Sequence, residues 1–169
     1  MQTGKERLFV NIFPSTVADD GFPDFVRKLS RNYEAFCQRV VFEISETLSD
    51  IGVWSNPQYI RRILELREHG FLIALDDFGE GSTSIKKVGE LAPDFIKLDM
   101  FFGKELSSNP SKQKLVRLFV EYCGGSNSEL ILEGIEREED LEQAVYLGVP
   151  NGQGYLLGRP SADCIASGR

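Results

Sequence analysis

Histidine is almost missing from this chain: His69 is the single one among 169 residues. It precedes Gly70 at what reads as a helix end, where an imidazole can meet the last carbonyls, so acid–base chemistry has to come from carboxylates. Cysteine is also scarce. Cys37, Cys123 and Cys164 are odd in number and far apart, with no CxxC pair, which excludes a disulfide framework and a thiolate zinc site and fits reduced thiols in the cytoplasm. No apolar run approaches the roughly 18–20 residues of a membrane span. The first residues, MQTGKERLFVN, lack the apolar centre of a signal peptide. Positive charge is short as well: 19 Lys and Arg against 26 Asp and Glu leave −7, a field that repels nucleic-acid polymers and acidic membrane surfaces. The expectation is a cytoplasmic protein with neither partner.

What is present is a core-forming composition, 41% hydrophobic and 11% aromatic, in a length typical of one domain. Short apolar runs alternate with amphipathic segments. Strands are expected at Leu8 to Phe13, Val40 to Ile44, Phe71 to Leu75, Phe95 to Leu98 and Leu130 to Leu132, with a weaker one around Gly154 to Leu157. Helical stripes recur at Phe22, Phe25, Val26, Leu29, Tyr33 and Phe36, and at Leu115, Leu118, Phe119 and Tyr122, and are expected to face a core. Asn56-Pro57 and Asn109-Pro110 each read as an N-cap followed by proline at the first helical position. Shorter helices are expected from Ser82 to Leu91 and through Leu141, Ala144 and Val145. Six strands alternating with about five helices predict a parallel sheet with covered faces.

Polar residues decide between open sheet and barrel. Each apolar run ends in a group able to ligate a metal or move a proton: Asn11; Glu43 and Glu46; Asp76 and Asp77; Lys97 and Asp99; Glu133 and Glu136; and Gln153 before Tyr155. Chemistry gathered from the C-terminal ends of many successive strands marks the active face of a (β/α) barrel, whereas an open doubly wound sheet concentrates its site at one switch point. The fold expected is therefore α/β, a TIM-type (β/α) barrel.

The donors are oxygens, which suits Mg²⁺ or Mn²⁺ better than zinc. Four or so carboxylates and an amide can hold two such ions, activating water and stabilising an in-line displacement at phosphorus. Asp76-Asp77 carries the most information, since adjacent side chains diverge in a strand and both reach one site only at its frayed end. The pair also fits a simple loop with a helix cap. Lys97, a cation in an apolar strand, either neutralises the acids or hydrogen-bonds the attacking water, because a buried lysine without partners is costly. Glu133 likewise needs a metal or lysine. Glu136, Glu138, Glu139 and Asp140 read as weaker candidates, acids expected in the first turn of a helix.

The segments LFVNIFPS (8–15), FEISET (42–47), IALDDFGEGSTS (73–84), PDFIKLD (93–99), LEGIE (132–136) and QGYLLGRP (153–160) together resemble the EAL domain family of cyclic di-GMP phosphodiesterases, in order and spacing. The resemblance implies metal ligands at Asn11, Glu43, Asp76 and Glu133, with Asp77 at or beside a second metal. It implies that Lys97 and Glu133 position or deprotonate the attacking water, that Glu136 and Gln153 lie at the barrel mouth, and that Glu46 steadies the loop after Asp76-Asp77. The implied reaction opens cyclic di-GMP to linear pGpG with Mg²⁺ or Mn²⁺. Departures from the pattern are Ser45, Glu80, Ser82-Thr83 and Arg137, the last removing a helix cap of about 1 kcal/mol.

The Glu-Ala-Leu segment that names the family has no counterpart in residues 1–7. The expectation is thus a truncated EAL-type barrel domain spanning 1–169, incomplete, with about six of the eight β/α units such a barrel needs. Weak or no turnover is expected of the chain alone. Open strand edges favour a homo-oligomer or domain-swapped dimer. The alternative is a non-catalytic module that binds cyclic di-GMP or a protein.

Overall fold

The computed structural model describes residues 6–45, 56–79 and 85–161, and six parallel strands organise them. These are β1 (Leu8–Asn11), β2 (Val40–Ser45), β3 (Leu72–Phe78), β4 (Phe95–Leu98), β5 (Glu129–Leu132) and β6 (Asn151–Gly152). Each pairs with its neighbours in chain order, as right-handed β/α units laid side by side require. The sheet curls into a half-barrel with helices outside. Across the concave side, Arg7 Nη1 reaches Glu129 Oε1 at 2.9 Å, and its guanidinium lies 4.7 Å from the Phe95 ring centre.

The period of two along each strand separates the two faces. Outward residues such as Phe42, Ile44, Ile73, Leu75, Ile96, Leu98, Leu130 and Leu132 join the main core beneath the helices. Inward residues Val41, Ala74, Phe95 and Ile131, with Phe9 and Leu72, form a smaller apolar layer inside the curl. Two residues further along, the same inward positions are Asn11, Glu43, Asp76, Lys97 and Glu133. One apolar floor therefore carries one polar layer above it.

The five expected helices are α2 (Phe22–Asn32), α4 (Pro57–Glu68), α5 (Ile85–Leu91), α7 (Pro110–Gly124) and α8 (Glu138–Tyr146). Short segments α1 (Pro14–Ala18), α3 (Glu34–Cys37) and α6 (Met100–Gly103), with a 3-10 turn at Leu106–Ser108, fill the connections. Both Asn-Pro starts behave as expected: Asn56 Oδ1 accepts from Gln58 N, and Asn109 Oδ1 from Ser111 N and Lys112 N. Arg137 stands before α8 without a side-chain cap. His69 ends α4 and its Nδ1 lies 3.1 Å from Ser30 Oγ, a structural role.

Three expectations are corrected. The stripe from Phe22 to Phe36 is broken at Tyr33, whose φ of −136° and ψ of 36° leave the helical region. Phe22 and Val26 are buried and Leu29 packs on the core, but Phe25, Tyr33 and Phe36 are exposed. In α7, Val116 and Cys123 are buried and Phe119 packs on Phe78, whereas Leu115, Leu118 and Tyr122 face out. Apolar residues cover more than one stripe of that helix, and the sheet selected the other. The weak strand at Gly154 to Leu157 is a turn, closed by Leu157 N and Gly158 N donating to Gly154 O. The pairing falls earlier, on Asn151–Gly152 against Ile131 and Leu132.

Candidate metal and phosphodiester site

Lys97 sits at the centre of the polar layer. Its Nζ lies 2.6 Å from Glu43 Oε1, 2.8 Å from Asp76 Oδ1 and 2.7 Å from Glu133 Oε1, so carboxylates from β2, β3 and the end of β5 converge on one ammonium from β4. The residue is 5% exposed. Burial by itself favours the neutral amine, but Asp76, Glu133 and Glu43 together outweigh it and hold the lysine above its ordinary range. Of the two roles left open by the sequence, charge neutralisation is the one this geometry displays.

The carboxylates outnumber the lysine. Asp76 Oδ1, though within ionic contact of Lys97, has no aligned hydrogen bond and is shut off from solvent. Oxygens of Asp76, Asp77 and Glu133 lie within 4.8 Å of one another, a hard donor set of the kind Mg²⁺ and Mn²⁺ take. Burial raises the Glu133 carboxyl above its usual value; Lys97 pulls it back, and the charges of Asp76 and Asp77 push it up again. A divalent cation would relieve that repulsion, so the residues present fit the ion.

Local structure explains how both aspartates reach one place. The β3–β4 register shifts between Leu75 and Phe78, and Asp77 takes φ of 51°, a conformation that Asp tolerates better than most residues. The pair lies inside β3, before Phe78, so a register shift within the strand and not the expected frayed end brings both aspartates to one place.

A cavity of ≈ 400 Å³ opens above the cluster, walled by Asn11, Glu43, Asp76, Lys97, Glu133 and Gln153 over a floor of Phe9 and Ile131. Gln153 is held there because its N–H donates to Leu132 O and its carbonyl accepts from Ile135 N. A larger apolar groove of ≈ 520 Å³ between Leu8, Leu29, Tyr33, Phe36 and Phe71 lies apart from the carboxylates.

Not every candidate joins the cluster. Glu136 is exposed, with Oε1 3.5 Å from Lys104 Nζ. Asp99 is buried and engaged as the cap of α6, accepting from Phe101 N at 2.7 Å. Glu46 lies outside the described residues. Asp140 is more than a first-turn acid: its carboxylate accepts from Glu105 N, Ser107 N and Ser107 Oγ. Burial opposes its charge, but these bonds and Arg137 prevail and lower its pKa. Sequence reasoning also missed Phe9 and Ile131 as the cavity floor, although each stands two residues before a site residue on the same strand face.

Comparison with known proteins agrees with this architecture. The sequence is 29% identical over 153 residues to the cyclic di-GMP phosphodiesterase PdeB of Shewanella oneidensis, covering 90% of this chain and 18% of PdeB. To the cyclic di-GMP phosphodiesterase RocR of Pseudomonas aeruginosa it is 29% identical over 154 residues, covering 90% of this chain and 38% of RocR. This chain thus spans well under half the length of these relatives. The fold superposes on the EAL domain of Mycobacterium smegmatis DcpA with a TM-score of 0.75 and 29% identity, over 91% of this chain and 68% of that one. On Klebsiella pneumoniae BlrP1 in its manganese and cyclic di-GMP complex the TM-score is 0.81 with 28% identity, over 93% of this chain and 40% of that one. The described residues contain no helix long and apolar enough to cross a membrane. With the EAL domain profile matched over residues 1–160, the chain belongs to the EAL domain family.

Proposed function

We propose that residues 1–169 act as one EAL-type domain of the cytoplasm whose polar layer is a metal-dependent phosphodiesterase site, opening cyclic di-GMP to linear pGpG. The observation that carries this reading is the convergence of Glu43, Asp76 and Glu133 on Lys97, with Asp77 beside them. Asn11, Glu43, Asp76, Asp77 and Glu133 would hold Mg²⁺ or Mn²⁺, which supplies an activated water and charge stabilisation at phosphorus. Lys97 holds the carboxylates together as a fixed cation. Its raised pKa keeps it an ammonium at neutral pH, so it donates hydrogen bonds and does not remove protons. Glu133, which lines the cavity, is the carboxylate placed to accept a proton there. Gln153 lines the mouth and orients the substrate, with Glu136 and Glu46 in supporting positions.

Turnover by this 169-residue chain is expected to be slow. Among the described residues the outer edge of β1 has no partner strand and Asn11 is exposed, so water reaches the site from that side and weakens its electrostatics. The same open edge favours the second reading, a module that binds cyclic di-GMP or a protein without cleaving it, and a homo-oligomer or domain-swapped dimer. Incubating the chain with cyclic di-GMP and Mn²⁺ and resolving pGpG by chromatography tests the first reading. Calorimetric binding with no product supports the second, and neither binding nor product overturns both.

A further inference from the structure

We infer that α6, the single helical turn after β4, is a spacer that sets the separation between Asp76-Asp77 and Glu133, with Gly103 and Gly79 as positioning residues for the metal-binding oxygens. The inference rests on the metal-site reading above and concerns what holds the ligands apart. The aspartates stand just before Phe78, the last residue of β3, and Glu133 follows β5, so β4 and whatever follows it lie between them. Asp99 starts α6 directly at the end of β4 by accepting from Phe101 N at 2.7 Å.

Both sides of that turn are in contact with the acidic loops and have no spare room. Towards β3, the edge of the Phe102 ring lies against Gly79, where a Cβ would overlap it, and Gly79 takes φ of 110°. Towards β5, a Cβ on Gly103 would overlap the carbonyl oxygen of Glu133 itself, and one on Gly134 would lie 2.8 Å from Met100 Cα. The turn is anchored to α7, because Phe102 is buried edge-on to Phe119. Asp99 N–H donates to Phe78 O and Glu133 N–H to Leu98 O, which ties the three strand ends to one another. Ordinary carbon contacts need about 3.5–4.0 Å, so a methyl on Gly103 pushes the Glu133 peptide outward. Ligand distances in a metal site hold to about 0.2 Å, so a small displacement breaks the set formed with Asp76 and Asp77.

The test is calorimetric titration of the full chain with Mn²⁺, with folding followed by far-ultraviolet circular dichroism. Gly103→Ala is expected to weaken Mn²⁺ binding by about tenfold or more while Gly89→Ala, where a Cβ meets nothing within 4 Å, leaves it unchanged. Phe102→Leu, which takes away the ring that lies against Gly79, is expected to loosen the turn and weaken Mn²⁺ binding too. A folded Gly103→Ala chain that binds Mn²⁺ like wild type overturns the spacer. Should Gly103→Ala fail to fold, Phe102→Leu decides, and a folded Phe102→Leu chain that binds Mn²⁺ like wild type overturns it. Wild-type protein that binds no Mn²⁺ overturns the metal-site reading itself, a different result from wild-type binding that the glycine variants leave untouched.

Discussion

Lys97 Nζ and Glu133 Oε1 lie 2.7 Å apart across adjacent strands, and each is in that position because of the other. The glutamate leaves β5 with its carboxyl in a partly buried site that raises its pKa, and the lysine leaves β4 inside a barrel face that would reject a lone cation. Their pairing turns two unfavourable burials into a fixed polar layer. A divalent cation added to that layer meets preassembled oxygens.

Removing the lysine tests that layer. Lys97→Met leaves Glu43, Asp76 and Glu133 facing one another without the ammonium, and is expected to lower stability by about 3–5 kcal/mol at neutral pH. Urea denaturation without divalent ions measures the loss. Added Mn²⁺ should recover part of it, because the cation replaces the missing charge; an unchanged midpoint in the metal-free variant would show the cluster is not held by Lys97.

Neutralising the carboxylates tests the metal reading. Asp76→Asn and Glu133→Gln are each expected to reduce Mn²⁺ affinity by about 10–100-fold and to abolish pGpG formation. Both substitutions keep side-chain size, and each leaves Lys97 two carboxylates. Titration calorimetry reads the affinity, and full binding by either variant would remove that residue from the ligand set.

Asp140 gives the chain an acid-side dependence remote from the polar layer. Its folded pKa is depressed, so its stabilisation is present above the ordinary carboxylate value of about 3.9 and is lost as pH falls through that value toward the folded one. Asp140→Asn is expected to cost about 1–3 kcal/mol at pH 7 and to narrow its deficit below about pH 4. Parallel urea melts at several pH values check this, and a deficit that does not change with pH would contradict it.

The β1 edge gives a prediction about assembly. Leu8 is 61% exposed on a strand whose outer side has no partner among the described residues. Edge lysines oppose strand addition. Wild-type chain is expected to self-associate with rising concentration in light scattering, and Leu8→Lys to shift it toward monomer. Identical masses for both proteins would place any association elsewhere.

Much of the site was legible because strand periodicity is local. Asn11, Glu43, Asp76, Lys97 and Glu133 could be read as one inward-facing set because each closes an apolar run, and a barrel collects such ends on one face. The two Asn-Pro helix starts were equally plain, since a cap involves only three or four neighbouring residues. The helix faces were less so. Leu115, Leu118 and Tyr122 have the spacing of a core stripe and yet point outward, because α7 offers two apolar stripes and only the position of the sheet chooses between them.

The sequence by itself therefore determined the alternation of strands and helices, the oxygen-rich donor set and which residues the strand ends bring to one face. Only the tertiary structure decided that Lys97 neutralises its neighbours, that Glu136 and Asp99 stand apart from the cluster, and that Asp140 ties α8 to the 3-10 turn. The same holds for the close approach of Gly103 to Glu133. The physical reason is range: periodicity, caps and charge type act over a few residues along the chain, whereas these contacts join groups from 21 to 54 residues apart, and their distances exist only once the strands are side by side.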